Sequence, residues 1–395
     1  MEYRPYYLAR EWARMGHQVQ IVASAQSHVR SHQPDMQGAG RLDEMIDGIH
    51  YTWFDTPAYV GNGIGRVRNM AAFVWRLFVE GRSLAKTFKP DVVVASSTYP
   101  MDIWPARRIA KLAKAKLVFE VHDLWPLSPM ELGGMSRWHP FIMLVQMAED
   151  FAYRYADVVI SMLPKAKGYM VAHGMDPAKF HYVPNGIDAD EWERTVALPV
   201  AVKESLERIR QKGLPIVAYA GTHGLANALD ALLDIGKLVQ GHIEIVLVGS
   251  GLERDRLLRR VEAEQIDNVT MLPAIPKAAI PNFLKSVDIA YIGWHKNPMY
   301  RFGISPNKLM DYMFASKPII HVVEAGNDPV AEAGCGFTVA PGDSVAIYEA
   351  MLKLAGLTAA ERETLGSKGR ALILHSQTYS VLAKQFLEAM HETRN

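Results

Sequence analysis

The sequence predicts an α/β protein built of two doubly wound domains, and three observations carry that reading. Between residues 18 and 162, short apolar runs ("QVQIVAS", "IHYTWF", "DVVVAS", "KLVFEV", "DVVISM") alternate with helical patterns near 66–89, 102–115 and 140–155. A second series starts near residue 214: "PIVAYAG", "IEIVLVGSG", "VTMLPA", "DIAYIGW", "KPIIHV" and "GFTVA". Charged helix formers around 190–212 separate the two series. Such alternation implies parallel sheets covered by helices on both faces, so each series reads as a Rossmann-like domain. The expected division is 1–195 and 196–375, with a last helix in 376–395 packing back on the first domain. Sheets of this kind bind ligands beyond the carboxyl ends of their strands. The chemistry is therefore expected at strand-to-helix turns, along a cleft that the two domains face.

Composition narrows the class. The chain has 395 residues, 49% hydrophobic and 22% charged, which is globular. A net charge of +1 gives no general attraction to nucleic acid, so any cationic site must be local. Cys335 is the single cysteine, which excludes an intrachain disulfide and suits a reducing compartment. Its setting, "EAGCGFTV", reads as a small buried hydrophobe. No run of about 18 apolar residues is present, and the N-terminus resembles no targeting signal, so the expected location is cytoplasmic.

The elements follow in order. Leu8, Trp12 and Met15 lie on one helix face, Gly16 suits a C-cap, and Val19 and Ile21 begin a strand. Helix, turn, strand normally follows a first strand, which in a doubly wound sheet is central. Without it a gap of roughly 10 Å would open, lined by unpaired backbone groups. Met1 is therefore expected to be an internal methionine of a longer protein; in-frame upstream codons for a hydrophobic strand and glycine turn would support this. "GNGIGRVRN" at 61–69 has GxGxG spacing after Pro57 and reads as a glycine-rich loop, not a dinucleotide fingerprint. "KLVFEVHDLWPLSP" sets His122 and Asp123 at the end of a buried strand, where an imidazole can donate to a substrate oxygen or simply hold a local carbonyl. "MSRWHPFIMLVQM" (135–147) offers Trp138 and Phe141 beside Arg137 and His139, suited to a membrane interface or to a buried helix face. In "VPNGIDADEW", Asn185-Gly186 reads as a turn and Asp190 as a helix cap; Asp188 and Asp190 make a weak metal motif, and no His/Cys cluster has zinc spacing.

The second half carries two phosphate-suited turns. In "VAYAGTHGLANALDALL" a buried strand ends at Gly221, and Thr222, His223 and Gly224 lead into a helix whose free amides suit an anion. In "YRFGISPNKLMDYMF", Gly303, Ser305, Pro306 and Asn307 lead into a helix with Lys308 in its first turn. A cation there opposes the helix dipole, which favours an anion between them. Asp311, one turn later, could accept from sugar hydroxyls, or pair with Lys308 as a plain i,i+3 ion pair.

In this order the pieces resemble bacterial family-4 glycosyltransferases of the GT-B fold, over nearly the whole chain. The resemblance rests on "YYLAREWARMGHQVQIV", "HDLWP", "YADVVISM", "VPNGID", "YAGTHGLA", "VLVGSG", "SVDIAYIGW" and "SPNKLMDYMFASKPII". The branch it resembles builds O-antigen and capsule units from nucleotide-activated amino sugars. It implies a retaining transferase using a UDP sugar as co-substrate, no further cofactor and no metal. The acceptor it implies is a glycan or a polyprenyl-diphosphate-linked sugar at the inner face of the membrane. By resemblance, Gly221 and Thr222 approach the diphosphate, His223 and Gly249 belong to the donor site, and Gly303, Ser305, Asn307 and Lys308 hold phosphate and sugar. Asp311 takes the ribose and His122 the donor sugar, so His122, Lys308 and Asp311 are the expected catalytic set. The chain departs from the family pattern in lacking an Arg after the first glycine of the second domain, a nearby Lys, and the glutamate ahead of Phe-Gly. Lys308 and Arg301, with His223, are the candidates to supply that charge. Two alternatives stand beside this reading: a UDP-sugar epimerase of the same fold, which needs no acceptor, and an inactive nucleotide-sugar binder.

Overall fold

The computed structural model describes residues 4–27, 30, 32–59, 61 and 63–391. They form two units, one running to Pro184 and resuming at Tyr379, the other Asn185–Thr378. The sequence reading places the boundaries after 195 and 375. The contacts place them earlier and later because the "PNGID" turn is tied to the second unit. Asn185 donates to Ser305 Oγ at 2.8 Å, and Ile187 donates to the Gln377 carbonyl at 2.9 Å. Helix Val200–Arg210 follows, burying Val202, Leu206 and Ile209 in the same unit's core.

The first unit holds two sheets. In one, β1 (Gln20–Ser24) runs parallel to β3 (Ile49–Phe54), and β2 (Arg41–Ile46) pairs antiparallel with β3. The sequence reading has no β2. Its signal was Asp47-Gly48, both at positive φ, the dipeptide of a tight hairpin. In the other sheet, β4 (Val92–Ser96), β5 (Lys116–Val121), β6 (Val158–Ser161) and β7 (Phe180–Tyr182) are all parallel. The same helices cover both sheets. Val22 of β1 and Val93 of β4 pack on one cluster with Phe73, Leu77 and Ile109, while Tyr6 of helix Arg4–Arg14 touches the cores of both. Yet among the described residues no strand pairs with the free edge of β1 or of β4, and Val94 is left 40% exposed. Helix Tyr379–His391 packs here: Tyr379 stacks on Tyr7 at 4.7 Å, and Trp12 donates to the Ala383 carbonyl.

The second unit is one parallel sheet. Its strands are β8 (Ile216–Ala220), β9 (Glu244–Val248), β10 (Val269–Leu272), β11 (Ile289–Gly293), β12 (Ile319–Val322) and β13 (Gly336–Val339), in the order β10-β9-β8-β11-β12-β13. Alternation along β8 sends Ile216, Ala218 and Ala220 to one face and Val217 and Tyr219 to the other, each into its own buried cluster. The order reverses between β8 and β11, which makes their carboxyl ends the switch point of the sheet. Cys335 is fully buried. No described helix is long and apolar enough to cross a membrane.

Candidate functional site

At the switch point the backbone itself opens a crevice. β8 and β11 pair only at Val217 and Ala218. Beyond them the Tyr312 hydroxyl takes over: it accepts from the Ala220 amide at 2.7 Å and donates to the Ala220 carbonyl at 3.1 Å. This satisfies a buried strand end and pins helix Asn307–Phe314 against it.

Two glycine loops nest above β8 and β9. Gly221 donates to the Val248 carbonyl and His223 to the Ser250 carbonyl. The approach is so close that a Cβ on Gly249 would stand 1.8 Å from the Gly221 carbonyl oxygen, and one on Gly251 2.3 Å from that of His223. Both glycines also have φ near +150°, outside the ordinary range of other residues. Thr222 is exposed at the top of this nest. The helix expected directly after Gly224 starts later: a 3₁₀ turn, Leu225–Asn227, intervenes, and helix Leu229–Leu238 begins after Ala228 in the left-handed region. The turn's own backbone, not a helix N-terminus, is what Thr222 and Gly224 present.

Lys308 lies in the crevice. Its ammonium donates to the Tyr219 hydroxyl at 2.6 Å and to Asn227 Oδ1 at 3.1 Å, and it would be 2.9 Å from a Cβ on Gly221. Tyr219 donates in turn to the Thr222 carbonyl, as does the Asn227 amide. One cation and one turn are therefore held by the same two neutral side chains. No described carboxylate pairs with Lys308, and burial pushes its pKa down to about 8. The plain ion pair with Asp311 does not form. Asp311 faces the influence of Lys277 and Glu191 instead, and burial pushes its carboxyl up to about 7.

Three expectations on this segment need correction. The "GISPN" amides are only partly available: Gly303 donates to the Tyr300 carbonyl and Ile304 to Asn327 Oδ1. Ser305 is a pin, its Oγ and carbonyl both accepting from Asn185, while the Asn307 and Lys308 amides open the helix without intrahelical acceptors. His223 adds no charge: it is fully buried with both ring nitrogens unpartnered, and burial, then Arg254 and Lys308, lower its pKa to about 4. Arg301 is turned to Phe302, stacking at 4.3 Å and donating to the Pro298 carbonyl. The second cation acting on the nest is Arg254, just after Gly251.

In the first unit His122 sits at the end of β5, where its Nε2 lies 2.8 Å from Glu120 Oε2. The other oxygen of Glu120 receives Arg4 at 2.7 Å, and Arg4 also donates to the carbonyls of Val183 and Pro184. Burial alone would raise the Glu120 pKa, but His122 and Arg4 outweigh it and hold the carboxyl at about 2. Asp123 is turned away, accepting from Ser128 and the Leu124 amide. Asp188, not Asp190, caps helix Ala189–Glu193 through the Glu191 amide. No metal-suited cluster exists among the described residues. Gly63 opens helix Ile64–Phe88, and Asn62 of that loop lies outside the described residues.

Residues 1–186 match the family model of the glycosyl transferase 4-like domain, and 214–356 that of glycosyl transferases group 1. The chain is a GT-B glycosyltransferase. Solved structures share this fold at low identity. Sucrose-phosphate synthase from Thermosynechococcus elongatus is 16% identical, with a TM-score of 0.69 over 96% of this chain and 90% of that one. Anabaena HepE in complex with UDP-glucose is 15% identical, with a TM-score of 0.61 over 87% and 86%. A glycosyltransferase from Rickettsia africae is 14% identical, with a TM-score of 0.63 over 98% and 92%. No curated protein sequence matches the chain significantly.

Within this glycosyltransferase, sequence reasoning found Lys308, Gly221 and His122 but missed their partners. Glu120 had a readable signal, an acid inside the apolar run "KLVFEV". Arg254 follows the second glycine loop and was equally readable. Tyr219 and Asn227 had none, since their role depends on a helix some 80 residues further along the chain.

Proposed function

We propose that this glycosyltransferase is a retaining enzyme that transfers an N-acetylated amino sugar from a UDP donor, without a metal ion. Its acceptor is a glycan or polyprenyl-diphosphate-linked sugar in O-antigen or capsule synthesis, met on the cytoplasmic face of the membrane. The observation that carries the donor part is Lys308, a half-buried ammonium at the sheet's switch point with neutral partners and no counter-charge among the described residues. Breaking a glycosyl–phosphate bond places negative charge on the departing diphosphate, and a fixed cation aimed at it lowers the barrier. Gly221, Thr222, Gly249 and Gly251 bring backbone close to the phosphates. Asn307 and Lys308 add helix amides, and Asp311 takes the ribose hydroxyls. On the acceptor-side unit His122, oriented by Glu120, donates to the donor sugar. Mass spectrometry of products from a panel of UDP-amino sugars with a lipid-linked acceptor tests the reading; UDP-sugar turnover without acceptor would replace it by an epimerase.

The membrane part draws on segment 135–147, where Trp138 is 68% exposed. Vesicle flotation of a Trp138→Ala/Phe141→Ala variant tests it, and unchanged binding ends it. The neutral, buried His223 beside Lys308 favours one second reading, a chain that binds UDP without transferring sugar. Measured UDP binding with no turnover on any donor would establish it.

A further inference from the structure

The two ring nitrogens of His122 have unlike surroundings. Nε2 lies 2.8 Å from Glu120 Oε2 and 3.5 Å from Ser96 Oγ. Nδ1 has no protein partner among the described residues and opens to solvent, on a side chain that is 22% exposed. Glu120 is buried, and its other oxygen receives Arg4 at 2.7 Å. A carboxylate only accepts, so Nε2 carries the proton of the bond to Glu120. That proton is committed. A neutral imidazole would then turn a bare, accepting Nδ1 to the substrate, and only the imidazolium offers a donor there.

The backbone beneath the ring is fixed as well. Ser97 is buried just beyond the end of β4, and its Oγ accepts from the His122 amide at 2.8 Å and the Asp123 amide at 3.4 Å. Its own amide donates to the Glu120 carbonyl at 2.9 Å. Two strand ends therefore hold backbone and ring together, which preorganises Nδ1. The charges around the ring divide simply. Glu120 favours a positive imidazole and Arg4 opposes it, from the far oxygen of the same carboxylate. Asp123 is spent on Ser128 and the Leu124 amide. Burial raises the pKa of Asp102, near the end of β4, which disfavours its charge.

We infer that His122 acts as an imidazolium, spending Nε2–H on Glu120 and donating Nδ1–H to an oxygen of the sugar substrate, with Ser97 as a residue that positions it. The proton stays on Nδ1 throughout. Its hydrogen bond is worth most when negative charge gathers on the substrate oxygens. The inference rests on the contact between His122 and the donor sugar in the proposed function.

Two amides separate the nitrogens in a test. His122→Asn sets an amide nitrogen where Nδ1 stands and drops the bond to Glu120; His122→Gln sets one near Nε2 and drops the Nδ1 donor. The readout is UDP release from UDP-N-acetylglucosamine, with UDP affinity measured by calorimetry. His122→Asn is expected to keep about tenfold more kcat than His122→Gln at equal UDP affinity, the scale of one charge-assisted hydrogen bond. The reverse order, or equal loss in both, overturns the inference. Wild-type kcat is expected to fall with rising pH along a limb that His122→Asn lacks; profiles of the same shape overturn it. Ser97→Ala should lower kcat at unchanged UDP affinity and Ser97→Thr restore it, whereas wild-type kcat in Ser97→Ala takes Ser97 out of the inference. Nitrogen NMR of the histidine-labelled full chain needs no turnover. The signals missing from His122→Gln should show both ring nitrogens protonated at neutral pH, and a lone Nε2–H tautomer overturns the inference. A wild-type chain that binds no UDP refutes the donor reading instead, while the NMR result still decides the charge of His122.

Discussion

The Lys308 ammonium and the Tyr219 hydroxyl stand 2.6 Å apart where β8 and β11 stop pairing, and the Tyr219 hydroxyl donates its own hydrogen bond to the Thr222 carbonyl. Neutral partners orient the cation without cancelling its charge. Lys308→Met is expected to weaken UDP binding by at least about tenfold, the scale of a charge-assisted hydrogen bond. Tyr219→Phe should weaken it less, because Asn227 still holds the lysine. Calorimetric titration with UDP measures both, and wild-type affinity in Lys308→Met removes it from the site.

Burial also makes that affinity depend on pH. Below about 8 Lys308 is protonated, and on the proposed function it attracts the diphosphate; above it the charge is lost. UDP affinity is expected to fall by up to about tenfold per pH unit above that point. Lys308→Arg, which stays charged, should flatten the profile. A wild-type profile that is flat through pH 8 contradicts the assignment.

Burial of Asp311 makes stability depend on pH. Its folded pKa of about 7 lies above the unfolded value of about 3.9. Stability from this group is therefore full below about 4 and is lost as pH rises through 7. Asp311→Asn is expected to raise Tm by about 4 °C at pH 8 and leave it unchanged near pH 4, while weakening donor binding. Thermal scans at the two pH values decide it, and a lower Tm at pH 8 would show the carboxylate to be stabilising.

The nested glycines make a steric prediction. Gly249→Ala must separate the two loops, since its Cβ would overlap the Gly221 carbonyl. The expected cost is at least about 2 kcal/mol, with UDP binding lost. Gly213 also has positive φ but open space around it, so Gly213→Ala should cost about 1 kcal/mol and leave binding intact. Urea unfolding of the two variants compares them directly.

Glu120 holds both Arg4 and His122, so Glu120→Gln leaves a buried guanidinium unpaired. A loss of about 3 kcal/mol at neutral pH is expected. The carboxyl's folded pKa of about 2 lies below its unfolded value of about 4.3, so its contribution is present above that value and fades as pH falls toward 2. The two proteins should therefore converge in stability in acid. A kcat loss in Glu120→Gln, partly restored in Glu120→Asp, would mark Glu120 as the residue that positions His122; unchanged kcat would limit it to a structural role.

The sequence by itself determined a good deal. Alternating apolar runs fixed two α/β series, because strand and helix periods are local properties of the chain. The glycines at 221 and 249 and the Ser-Pro-Asn-Lys turn were legible for the same reason. The tertiary structure decided which of those residues have free chemistry. Ser305 and the Gly303 and Ile304 amides looked available but are used by Asn185, Tyr300 and Asn327, and a hydrogen bond made across 120 residues leaves no mark in either segment. His223 looked like a cation and is neutral, because its charge depends on burial and on Arg254 and Lys308. Lys308 and Asp311 share a helix turn, yet packing assigns them different surroundings. Residue type and spacing set what a side chain can do; only the neighbours brought by the fold set its protonation and leave, or take, its hydrogen bonds.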